Sequence, residues 1–172
     1  MVLKILYPIF DSKGFPKLFA KYKPHHFSAL PDHLKYLTVD KKTRSMDLSF
    51  LISHGVGGDS LNVDLERTVN SFLHERNCLY EACKGYGMTE LTATACLSFR
   101  GATAIGSVGV PFATNTVKIM DIDTGEELPY NKTGEIWISG PSIMLGYYNM
   151  PTTALISFDE EGNGFTLVIW GI

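Results

Sequence analysis

The chain has 172 residues, 45% of them apolar and 19% charged, with 15 basic and 18 acidic side chains and a formal net charge of −3. This composition is globular and excludes a disordered chain, a collagen and a coiled coil. The longest strictly apolar stretch, Leu167 to Trp170, is far short of the ~20 residues of a membrane-spanning helix, and with no Lys/Arg run nucleic acid is not an expected partner.

In chain order, Met1 to Phe10 lacks a small-residue cleavage site and predicts a buried strand over Val2 to Ile9. Phe15, Leu18, Phe19 and Tyr22 recur at helical spacing and predict an amphipathic helix. A short strand follows over His25 to Leu30, and Pro31 opens a helix through about Leu37. Asp40, Lys41, Lys42 and Arg44 suit a solvated loop. The apolar run Leu48 to Ser53 suits a strand buried on both faces and ends at Gly55-Val56-Gly57-Gly58. Val63, Leu65, Val69, Phe72 and Leu73 predict a helix over Asn62 to Glu75. Glu81 to Lys84 leads into a second glycine loop, Gly85 to Glu90, and a helix is expected over Thr89 to Ser98. After Gly106 the period shifts to two, with strands around Val117 to Ile119 and over Glu135 to Ser139 and turns at Gly125 and Gly134. The whole is an α/β fold, strand-helix units followed by antiparallel β hairpins. Cys78, Cys83 and Cys96 form no CxxC pair or disulfide framework and read as buried thiols in a reducing cytoplasm.

Two glycine loops each follow an expected strand and precede an expected helix, the position at which open α/β sheets bind nucleotides. Gly57-Gly58 is equally compatible with a tight turn. In Lys84 to Glu90 (KGYGMTE), Tyr86 between two glycines can stack on a flat base, Thr89 offers a hydroxyl to phosphate, and Glu90 offers a hard carboxylate to Mg²⁺. Singly, Tyr86 also fits a core aromatic, Thr89 an N-cap and Glu90 a first-turn carboxylate.

Tyr86-Gly87-Met88-Thr89-Glu90 resembles a signature of the AMP-forming acyl-CoA synthetase and adenylating-enzyme superfamily. Thr133 to Pro151 resembles a later block of that family, Gly57-Gly58-Asp59 with Leu61 resembles its GGxxL turn, and Gly106 to Pro111 fits between them in the same order. The resemblance implies part of the large N-terminal domain of an adenylate-forming enzyme: residues 1–111 a partial α/β nucleotide-binding subdomain, and 112–163 a β-rich segment. It implies that Tyr86 stacks on adenine, that Gly57, Gly58, Asp59, Gly85 and Gly87 line the ATP/AMP side, that Thr89 contacts the α-phosphate and that Glu90 holds Mg²⁺. Gly85 and Met88 would border the acyl substrate; His54 would reach that pocket or serve as a satisfied strand-end histidine.

The implied chemistry is attack of a carboxylate on ATP to give an acyl-adenylate, then transfer to the thiol of coenzyme A or of a carrier protein. Fatty, aromatic and amino-acid carboxylates all stay open, with fatty acid metabolism one setting. The family's Ser/Thr/Gly-rich phosphate loop has no counterpart in residues 1–84, nor its Tyr-Thr-Gly-Asp step downstream. The chain is therefore expected to be an internal fragment, inactive alone or, in an alternative reading, complemented by a neighbouring chain, with apolar faces such as Phe15, Leu18 and Phe19 left exposed. Residues 164–172 resemble nothing in the family, but one coding of them hides Tyr-Thr-Gly-Asp in a shifted frame, so a frameshift near Asn163 is expected.

Overall fold

A computed structural model describes residues 4–6, 11–144, 148 and 149, and the strands 156–158 and 165–169. The expected strand Val2 to Ile9 lies mostly outside these residues, and residues 4–6 carry no regular structure. The block Thr133 to Pro151 is described through Met144 and again at Tyr148 and Asn149. The chain divides into two units, 1–84 with 98–107, and 85–97 with 108–172.

The first unit contains α1 (Phe15–Tyr22), β1 (His26–Ala29), α2 (Pro31–Val39), β2 (Ser53–Val56), α3 (Val63–His74) and the start of β3 (Cys83–Met88). Strands β1 and β2 run parallel, with Phe27 opposite His54 and Ala29 opposite Val56, and β2 pairs in parallel with Cys83 and Lys84. Helix α1 begins where the Asp11 carboxylate accepts the Gly14 N–H (2.8 Å) and ends where the Lys23 N–H returns to the Phe19 carbonyl. Helix α2 starts on Pro31, which needs no N–H partner in the first turn. Helix α3 is capped by Asn62, whose side-chain oxygen accepts the Leu65 N–H at 2.8 Å.

The core of this unit joins Phe19, Leu34, Leu37, Leu48, Leu51, Val56, Val69, Phe72 and Leu73. Phe19 is only 2% exposed, and its ring meets Phe27 edge-on at 5.5 Å between centroids. Phe15 packs against the same cluster and Leu18 is half-buried. Phe15 and Phe19 of α1 are thus covered by β1, α2 and Phe50 and Leu18 is partly covered, while Tyr22 stays exposed, which corrects the expectation of an exposed Phe15, Leu18 and Phe19.

In the run Leu48 to Ser53, Leu48 and Leu51 are buried while Ser49 and Ile52 are exposed, and only Ser53 belongs to a strand. The Asp47 carboxylate accepts the Ser49 N–H (2.9 Å) and the Leu51 N–H returns to the Leu48 carbonyl (3.0 Å), so the backbone turns here. Pairing begins only where the Ile52 and Ser53 N–H groups donate to the His25 carbonyl. The loop before it is solvated at Lys41, Lys42 and Arg44 but pinned by buried Thr43, whose hydroxyl donates to the Leu37 carbonyl at 2.6 Å.

In the second unit the rest of β3 pairs antiparallel with β4 (Ala93–Leu97), and β4 with β5 (Val110–Pro111). A second antiparallel sheet has the order β6 (Thr116–Met120), β7 (Glu135–Ser139), β9 (Phe165–Ile169), β8 (Ile156–Phe158). The turn after β6 is built as expected: the Asp121 carboxylate accepts the Asp123 and Thr124 N–H groups, and Gly125 takes φ +72°. Leu91, Ala95, Cys96, Ile138 and Ile143 form the core of this unit, with Tyr86, Met88, Val117 and Ile136 packed against them. The α/β class holds, with the antiparallel part beginning earlier in the chain than the period-two pattern suggested.

Candidate functional site

The candidate residues fall in both units. In the first, β2 delivers the chain to Gly57-Gly58-Asp59, and α3 begins five residues after Gly58, at Val63. The Gly57 N–H donates to the Ala29 carbonyl (3.3 Å). Gly58 adopts φ +80°, the conformation that demands glycine, and a Cβ there would lie 2.9 Å from Leu30 Cδ2, a side-chain end that would have to shift. The exposed Asp59 turns its carboxylate onto the N–H of Ser60 (2.7 Å). This strand-loop-helix arrangement is the one the glycines predicted.

His54 on β2 is 1% exposed and stacks on Phe27 at 5.9 Å. Neither ring nitrogen has a hydrogen-bond partner. Burial pushes its pKa down to about 4, against weaker opposing effects from the Tyr80 backbone and the Glu81 charge. It is not the satisfied strand-end histidine offered above as one option. Its buried face is the one it shares with Val56 and Phe27, among the aromatic rings of the core.

In the second unit, Gly85 to Met88 are not a loop but strand. Gly85 faces Leu97, Tyr86 faces Cys96, Gly87 faces Thr94 and Met88 faces Ala93, with a register shift between Tyr86 and Gly87. The extra residue at that step is Ala95, so the bulge lies on β4 and it is β4 that bends and twists there. Tyr86 is half-buried against the core of this unit; burial, then the neighbouring Cys96, raise its phenol pKa. Gly87 and Thr89 are exposed and Glu90 is half-buried.

The helix expected over Thr89 to Ser98 is absent. Thr89–Leu91 form a single 3-10 turn, Thr92 stands in the left-handed region at φ 50°, and Ala93–Leu97 return as β4. The β-branched Thr94 favours extended backbone, and the turn is tied down from outside. The Thr92 hydroxyl donates to the Ser142 carbonyl (2.8 Å) and the Met144 N–H donates to the Glu90 carbonyl (2.8 Å). Glu90 is therefore a residue of a hairpin turn and faces no helix dipole.

The structure brings Tyr86, Gly87, Met88, Thr89 and Glu90 onto one strand end and its turn, ahead of a segment in which Asn115 accepts from the Ser142 hydroxyl (3.0 Å) and donates to the Thr94 carbonyl (3.3 Å). The AMP-binding enzyme family profile matches residues 4–148. This chain belongs to the AMP-binding enzyme family. A 4-coumarate–CoA ligase-like protein of Arabidopsis thaliana is 34% identical over 156 residues, 89% of this chain and 27% of that protein. A luciferin 4-monooxygenase of Luciola mingrelica is 32% identical over 153 residues, again 89% of this chain and 27% of the relative. The solved structure of a long-chain-fatty-acid–CoA ligase from Archaeoglobus fulgidus shares the fold with a TM-score of 0.73 at 22% identity, over 91% of this chain and 33% of that one. The chain thus spans about a quarter of the length of the curated relatives it matches.

In this AMP-binding family chain, sequence reasoning missed Lys84 and Glu66, a buried ion pair immediately before the Gly85-Tyr86 step. The signal was present. Glu66 falls in register with Val69, Asn70 and Leu73 on the buried stripe of α3, whereas Val63 at the helix start is exposed. Among the described residues no group of three His, Cys, Asp or Glu side chains could hold a metal ion, and no helix is long and apolar enough to cross a membrane.

Proposed function

We propose that this chain carries the Tyr86–Glu90 segment of an adenylate-forming ligase site, one that activates a carboxylate with ATP and passes the acyl group to the thiol of coenzyme A. The observation that supports it best is the form of this segment. Half-buried Tyr86 is followed by a register shift, and then by exposed Gly87 and Thr89 and by Glu90 in a pinned turn.

In this reading a substrate carboxylate oxygen bonds to the α-phosphorus of ATP, the bond to pyrophosphate breaks, and an acyl-adenylate forms. The thiol sulfur then bonds to the acyl carbon, the proton leaves the thiol, and AMP departs. Tyr86, braced by Cys96 and Ala95, offers a flat face for the adenine. The exposed Thr89 hydroxyl donates to an α-phosphate oxygen where negative charge builds up. Gly57, Gly58, Asp59 and Gly85 flank nucleotide, and Gly85 and Met88 serve the acyl group, whereas His54, 1% exposed against Phe27, is not offered to it. Glu90 would hold Mg²⁺ together with substrate phosphates, as a single carboxylate commonly does for that ion. When bound it supplies charge neutralisation at the phosphates.

Because the chain spans 27% of its relatives, we propose further that alone it binds adenine nucleotide weakly and completes no turnover. Isothermal titration of the 172-residue chain with ATP and Mg²⁺ tests the first part: a saturating signal that Tyr86→Ala abolishes supports it, and a signal untouched by that change defeats it. Carboxylate-dependent pyrophosphate exchange tests the second: none is expected, and exchange that Glu90→Ala removes would refute it.

A further inference from the structure

The chain leaves the first unit after Lys84, re-enters it at Ser98 and leaves again after Ser107. All three passages meet at Lys84 and its buried partner Glu66, Ser98 through the Lys84 backbone and residues 104–106 through the ion pair. Glu66 on α3, 1% exposed, turns Oε1 to the Lys84 ammonium and accepts the Gly106 N–H on Oε2 at 2.9 Å. The ammonium also donates to the Ala104 carbonyl. The Lys84 backbone is held just as firmly: its N–H donates to the Ser98 hydroxyl (2.6 Å) and its carbonyl accepts the Ser98 N–H (2.8 Å). Gly106 supports the arrangement at φ +78°, with Val63 Cγ2 3.4 Å from where a Cβ would sit.

Removing two charges from water is unfavourable unless geometry and the remaining hydrogen bonds are matched, and an apolar pair of similar size often gives equal stability. What the ionic pair adds is directional. It fits only when an acceptor (Ala104 O) and a donor (Gly106 N–H) are both in place. Within residues 98–107 the pairing among the described residues is the isolated bridge Phe99–Ala102, which does not reach 104–106; these are held by the pair and by the turn from Ser107 N–H to Ala104 O (3.1 Å).

We propose that Lys84 and Glu66 are positioning residues that fix, at one point, every segment by which the chain passes out of and into the first unit. Gly85 and Tyr86 follow Lys84 directly, so the pair also sets where the Tyr86 strand begins; its bearing on nucleotide handling rests on the function proposed above, while the anchoring does not.

The test is amide hydrogen exchange on the whole 172-residue chain. In Lys84→Met/Glu66→Leu, exchange at Gly85, Ser98 and Ser107 quickens by at least about tenfold while Leu34 and Leu37 in α2 keep their rates. Unchanged rates at those three amides, or a uniform rise that includes α2, would overturn the proposal. Lys84→Glu/Glu66→Lys restores a plain ion pair but sets a carboxylate against the Ala104 carbonyl and an ammonium against the Gly106 N–H. It is expected to stay fast, and wild-type rates would overturn the proposal. Should either double variant fail to fold, Ser98→Ala keeps both charges. Its loss of the bond to Lys84 quickens Ser107 together with Gly85, and an unmoved Ser107 refutes the common anchor. Failure of the nucleotide reading would appear separately, as an ATP titration of the wild-type chain without signal.

Discussion

The side-chain oxygen of Asn70 accepts the backbone N–H of Ala82 at 3.1 Å, both groups being buried. This bond closes the excursion between α3 and β3, where no regular pairing is available to Ala82. Asn70→Leu fills the same space but leaves the Ala82 N–H buried and unmatched, which costs about 1–3 kcal/mol. The urea midpoint is expected to fall while the slope of the transition stays constant. A midpoint equal to wild type would show that Ala82 finds another acceptor.

His54 makes stability depend on acid. Its pKa is about 4 in the folded chain against an ordinary 6.5, because burial disfavours the charged ring. Above the ordinary value both states are neutral there. As pH falls from 6.5 toward 4, the unfolded chain takes up a proton that the folded chain refuses, so stability is lost on acidification. The loss is about 1.4 kcal/mol per pH unit and roughly 3 kcal/mol by pH 4. Subtracting the profile of His54→Leu from that of wild type isolates this contribution. A difference that is flat between pH 6.5 and 4 would contradict it.

Gly58→Ala is expected to destabilise the β2–α3 connection. The residue must hold φ +80° and its new methyl meets Leu30 Cδ2, a penalty of roughly 1–2 kcal/mol from the backbone conformation alone. Gly125→Ala, at φ +72° with no heavy atom within 4 Å of its Cβ position, separates the two causes. It carries the conformational penalty only, so the smaller drop in melting temperature belongs to Gly125.

Asn62→Ala removes the side-chain acceptor for the Leu65 N–H, with an expected cost of about 1 kcal/mol. Asn62→Asp retains an acceptor at the positive end of α3 and should melt close to wild type. If the two variants melt alike, the cap contributes nothing measurable.

Helix α1 was readable to the residue, because Phe15, Leu18, Phe19 and Tyr22 keep one period and Lys23 ends it. Helix α3 was readable for the same reason, and the glycine turn at 57–58 from its Gly-Gly pair. Two segments were misassigned by local pattern. Leu48 to Ser53 is apolar enough for a strand, but Asp47 and Ser49 turn the backbone before any pairing starts. Thr89 to Ser98 was given a helix because a glycine loop usually opens one. The bonds that decide otherwise, from Thr92 to Ser142 and from Met144 to Glu90, come from some fifty residues further along the chain. No local window contains that information. The chemistry-bearing residues of the candidate site were visible as a motif, whereas Glu66 shows in the sequence only as a carboxylate on the apolar stripe of α3, and its partner Lys84 is identified by the placement of α3 against β3.

The distance along the chain between Glu66 and Gly106, 40 residues, has a consequence during synthesis. At ~5–20 residues per second the ribosome needs about 2–8 s to deliver the Gly106 N–H after Glu66 has been made. Through that interval α3 can form with its cap, but its carboxylate has no complete set of partners, and water must continue to solvate it. The first unit therefore cannot close its interior on a nascent chain that stops at Lys84; the β3–β4 hairpin has to be translated before the last buried charge can be shut away.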